Sequence, residues 1–119
     1  MRVAIVEKQQ LIGGVCLHTG TMPSKASVPF VRGVARFRDV ARGEIIGDAS
    51  GMLKLLFHRE TRRLLGAHVI GTQATELIRV GTTVMALGGT LDYFTGAVFT
   101  YPTLSECYEI AAFDAEMSL

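Results

Sequence analysis

The chain has 119 residues and a mass of 12.9 kDa, the scale of one domain, perhaps extended by an appendage, rather than two. Hydrophobic residues make up 49% and charged residues 19%, a balance that excludes an intrinsically disordered chain and supports a buried core. Twelve basic against eleven acidic side chains leave a net charge of +1, which supplies no general attraction to nucleic acid or anionic membrane.

The mean hydropathy of +0.33 is high for a chain in which no run of about 18 apolar residues could cross a bilayer. The excess apolar content is therefore read as surface covered by another subunit, most simply a second copy. The N-terminus lacks the apolar core and small-residue cleavage site of a signal peptide, which points to the cytoplasm. Cys16 and Cys107 fit neither a CxxC metal pair nor a secreted disulfide framework, and free thiols are expected.

In chain order, Val3-Ala4-Ile5-Val6 followed by Glu7 has the pattern of a short strand buried on both faces of a parallel sheet. Residues 11–25 follow it with turn formers instead of a second strand. A seam near Ser27-Val28 separates this piece, residues 1–27, from a second unit, residues 28–119. There Val31, Gly33, Ala35 and Phe37 alternate with Arg32, Val34, Arg36 and Arg38 and predict a half-buried strand over 31–38. Leu53, Leu55 and Phe57 alternate in the same way, and beyond the polar turn at 59–63 an apolar segment over 64–70 completes an antiparallel hairpin.

From Thr72, read as an N-cap, the apolar positions Ala74, Leu77, Ile78, Gly81, Val84 and Met85 recur at helical spacing until Gly88-Gly89. Ala97-Val98-Phe99 reads as strand-like. A last helix from Thr103 places Leu104, Cys107, Tyr108, Ala111, Ala112 and Ala115 on one stripe. The predicted fold class is α+β, an antiparallel sheet with flanking helices.

Charge is uneven. Residues 28–66 carry eight basic and four acidic side chains, and residues 67–119 carry one basic and six acidic. Arg32, Arg36, Arg38 and Arg42 have only Phe37 among them for stacking, so a solvated strand face is preferred to a nucleic-acid strip. Glu7, at the tip of a parallel-type strand, is either an acceptor for the ribose hydroxyls of an adenine dinucleotide or a solvated acid. His18, His58 and His68 match no ligand or base motif, and no metal site is expected.

Gly13-Gly14-Val15-Cys16-Leu17-His18-Thr19-Gly20-Thr21-Met22-Pro23-Ser24-Lys25 resembles the GGxCxxxGCxPSK segment of the flavoprotein disulfide reductases. In that family this segment runs beside the flavin, and its two cysteines form a redox disulfide. Thr21 stands at the second cysteine, so Cys16 has no partner, and dithiol chemistry, with it a thiol-based redox role, is disfavoured. Tyr101-Pro102-Thr103-Leu104-Ser105-Glu106 is similar to the HPTxxE motif of the family's C-terminal dimerisation domain, with Tyr101 in place of the His. A phenol titrates near 10 and an imidazole near 6.5, so tyrosine is a poor proton shuttle at neutral pH. Thr103 and Glu106 also spell a capping box, the reading favoured for Glu106.

Both departures leave intact the stacking and orientation that hydride transfer requires, because the cofactor carries that chemistry. The resemblance therefore implies the transhydrogenase branch of the family, in which hydride passes between NADPH and NAD through bound FAD. By the same resemblance Glu7 holds the adenosine ribose, Gly13, Gly14, Val15 and Cys16 pass close to the flavin, and Lys25 sits near its ring. No catalytic residue is assigned. Residues 1–27 are then a fragment of an α/β flavin-binding domain and residues 28–119 a homodimerising domain, joined as in an internally shortened relative. Two roles follow: an enzyme by descent, or a catalytically silent association module that retains no flavin alone.

Overall fold

The computed structural model describes residues 28–119. The expected strand at residues 3–6 and the seam's N-terminal side lie outside the described residues.

Strand β1 (Phe30–Arg36), β2 (Met52–His58) and β3 (Leu64–Ile70) form one antiparallel sheet in that order. The alternation seen in the sequence is the alternation of burial: Val31, Ala35, Leu53, Leu55 and Phe57 all point inward and are buried. Cross-strand pairs Val31 with Phe57, Gly33 with Leu55, and Ala35 with Leu53 put these residues on one face. The register between β2 and β3 shifts at Leu56/Phe57, so that Leu56 faces Gly66 while Phe57 faces Leu64, and Leu65 is the extra, exposed residue of a bulge.

β1 is shorter than the pattern predicts. Phe37 remains in the core, but the chain has already turned into a 3₁₀ segment, Phe37–Asp39. The Asp39 carboxylate accepts the Arg36 N–H at 3.1 Å, and the Phe37 N–H turns to the Gly51 carbonyl at 2.9 Å. A short helix α1 (Ala41–Ile46), unforeseen in the sequence, follows at once. It stops at Gly47, whose φ of 72° is open to glycine; the Gly47 N–H bonds the Glu44 carbonyl and the Asp48 N–H bonds the Gly43 carbonyl, a Schellman end.

Two further helices pack on the inward sheet face, α2 (Ala74–Ala86) against β3 and α4 (Glu106–Glu116) across β1 and β2, with a small helix α3 (Leu91–Gly96) at the edge against α4. The close approaches need small residues. A Cβ on Gly33 would fall into the Ala111 carbonyl and within 2.8 Å of the Ala115 nitrogen; one on Gly81 would come within 2.6 Å of the Ala67 methyl. The stripe predicted for the last helix is the buried stripe observed: Leu104, Cys107, Tyr108, Ala111, Ala112 and Ala115. Tyr108 stacks on Phe94 at 5.3 Å between centroids, and Phe57 meets Phe94 edge-on at 6.1 Å.

Three expectations are corrected. Thr72 does not cap α2: the capping position is Gln73, at φ 58° and without a side-chain cap bond, and the Thr72 N–H instead reaches Asp48 Oδ2 at 2.8 Å. Ala97-Val98-Phe99 is not a strand; it leaves α3 as irregular chain with Val98 fully exposed. The last helix begins at Glu106 instead of Thr103, after a turn.

Asp48 ties the loop before β2 to the start of α2. Its Oδ1 accepts from the Ser50 N–H, the Ser50 hydroxyl and the Gly51 N–H at 3.1, 3.1 and 2.9 Å, and its Oδ2 takes the Thr72 N–H. The Thr72 backbone bond is the largest cause of a carboxyl pKa lowered to about 2. Arg62, at φ 60° in the hairpin turn, makes ion pairs with Asp92 on α3 at 2.8 Å and Glu116 on α4 at 2.7 Å, joining three elements.

Replacing Gly33 by Ala should separate α4 from β1 and lower stability by more than about 3 kcal/mol, read as a shift in the urea midpoint, because the obstruction is backbone and cannot rotate away. Asp48 contributes stability that is complete above its unfolded pKa near 3.9 and disappears as pH falls towards 2. Melting temperatures from pH 2 to 7 should therefore fall through that acid window, and Asp48→Asn should flatten the fall; an unchanged acid slope in the variant would show that Asp48 is not its source.

Candidate functional site

The residues singled out for flavin contact, Glu7, Gly13, Gly14, Val15, Cys16 and Lys25, all lie outside the described residues, as do Thr21 and His18. What the structure places is the second motif, the turn that leads into α4. There the Glu106 carboxylate, through Oε2, accepts the Thr103 N–H at 3.0 Å. This is half of the predicted capping box. The reciprocal half is not formed: the helix is capped at Ser105 without a side-chain bond, and the Thr103 hydroxyl donates to the Thr100 carbonyl at 2.6 Å. Glu106 is thus engaged in holding the turn, the role favoured for it on sequence grounds.

The held turn projects apolar and aromatic side chains outward. Tyr101, joined to Pro102 by a cis peptide, is 72% exposed, Tyr93 on α3 is half exposed, and Val98 is entirely exposed. Two open grooves flank this region. One, of about 360 Å³, runs between α1, α2 and the turn and is lined by Arg42, Gln73, Glu76, Leu77, Pro102 and Ser105, among others. The other, of about 270 Å³, lies between Val80 on α2, Tyr93 and the 97–105 segment.

The nucleophilic and titratable groups next to this turn are not arranged for chemistry. Cys107 is buried, and loss of solvation pushes its thiol up to about 12, so no thiolate forms at neutral pH. Burial also raises the Tyr108 phenol. The Tyr108 hydroxyl donates to the Leu77 carbonyl at 2.6 Å and accepts the Gly81 N–H at 3.0 Å, so it is committed to α2. Both residues are core, as their place on the apolar stripe implied.

His58 Nδ1 accepts the N–H groups of Glu60 and Thr61 at 3.2 Å and so stabilises the hairpin turn. Among the described residues no cluster of His, Cys, Asp and Glu could hold a metal ion, and no helix is long and apolar enough to cross a membrane. Arg32, Arg36 and Arg38 are exposed, and Arg42 is partly buried beside the larger groove.

Sequence reasoning missed the importance of α3 and the bare segment after it. Thr90 and Asp92 were a usable signal: the Thr90 hydroxyl bonds the Asp92 carboxylate at 3.2 Å at the start of α3.

The family model described as "Pyridine nucleotide-disulphide oxidoreductase, dimerisation domain" matches residues 18–112. A relative named soluble pyridine nucleotide transhydrogenase, from Mycobacterium tuberculosis, is 53% identical over 91 residues, covering 76% of this chain and 19% of the relative. The crystal structure of LpdA from the same organism superposes with a TM-score of 0.69 at 25% identity, over 73% of this chain and 19% of that one. The fold is shared with RclA from Escherichia coli, a HOCl-induced flavoprotein disulfide reductase, at a TM-score of 0.70 and 22% identity over 77% of this chain and 21% of that one. The chain spans about a fifth of the length of the curated relatives it matches. With the motif turn, the three-stranded sheet and the helices laid on one face of it, the chain belongs to the pyridine nucleotide-disulphide oxidoreductase family and carries that family's dimerisation domain.

Proposed function

We propose that residues 28–119 pair two subunits of an FAD-dependent oxidoreductase that exchanges hydride between NADPH and NAD in the cytoplasm, and that the 119-residue chain by itself associates without catalysing. The observation that carries the association role is the apolar surface left open beside the motif turn, where Val98, Tyr101 and Tyr93 project. The substrates rest on the names of the relatives and on the two departures from dithiol chemistry, Thr21 and Tyr101.

The described residues do not fit FAD. The two grooves beside the motif turn are open and of about 360 and 270 Å³, and neither has the glycine-rich turn at a helix N-terminus that a pyrophosphate requires. Flavin contact is proposed instead for residues 1–27, a separate fragment of a flavin-binding domain ending at the seam. There Glu7 would accept the ribose hydroxyls, the backbone at Gly13, Gly14, Val15 and Cys16 would pass near the flavin, and Lys25 would lie by its ring. Those residues supply a border to the cofactor and too few partners to retain it. The resulting division of labour favours the silent-module reading for this polypeptide and the transhydrogenase reading for the family protein to which the domain corresponds.

Purified chain should show no flavin absorbance, no NADPH-to-NAD exchange, a dimer in sedimentation at micromolar concentration and a melting temperature that rises with protein concentration. Stoichiometric flavin or measurable exchange would overturn the silent reading. A compact monomer with a concentration-independent melting temperature would overturn the association role.

A further inference from the structure

We draw no further inference here: the strongest candidate, the open groove of about 360 Å³ between α1, α2 and the motif turn with Arg42, Gln73, Glu76 and Ser105 on its walls, rests on the N-terminal turn of α2, and no buried polar side chain among the described residues is left unpaired to point to a ligand there.

Discussion

The backbone of β1 lies directly against the backbone of α4, with Gly33 under the Ala111 carbonyl and Ala115 beside it. Everything else in the described unit is arranged around that contact. Because no side chain intervenes, α4 sits low enough on the sheet for Tyr108 to reach α2 and for Asp114 Oδ2 to take the Val34 N–H of β1 at 2.8 Å. That bond occupies a donor on the strand's free edge, where unpaired backbone groups would otherwise invite another chain. The alanines of α4 are there for the same reason: Ala111, Ala112 and Ala115 are fully buried, and larger side chains would lift the helix from the strand.

How much was legible in the sequence depended on whether the deciding interaction was local. The inward face of the sheet could be read from Val31, Ala35, Leu53, Leu55 and Phe57, since a period of two is imposed by the pleat itself. The stripe on α4 could be read from its 3.6 period for the same reason. The start of α2 could not, because the Thr72 N–H is taken by Asp48, 24 residues earlier, and Gln73 turns left-handed to permit it. Helix α3 is six residues long and buries Leu91 and Phe94, one helical repeat, too little for periodicity to show. The apolar letters of Ala97-Val98-Phe99 suggested a strand, but their burial is decided by what lies opposite them, and Val98 is left fully exposed among the described residues.

The motif turn gives a similar lesson about the site. A family signature located the segment at 101–106, and the structure shows the part of it that physics requires regardless of chemistry: the Glu106 carboxylate satisfying a backbone donor ahead of a helix. The side chain that departs from the signature, Tyr101, is also largely exposed to solvent. Holding and projecting are thus done by different residues of the one turn, Glu106 and Tyr101.

The Tyr108 hydroxyl touches both the Leu77 carbonyl and the Gly81 N–H, the two groups that one turn of α2 would ordinarily join to each other. A side chain from the C-terminal helix therefore completes the hydrogen bonding of a helix some thirty residues away, and Gly81 is the residue small enough to let it in. Helix α2 carries, in its middle, a peptide group that is also hydrogen-bonded from outside the helix. Local helix formation and long-range assembly are thereby coupled: the amide of Gly81 becomes a sentinel for the seating of α4, its protection from hydrogen exchange including the share that the Tyr108 hydroxyl supplies.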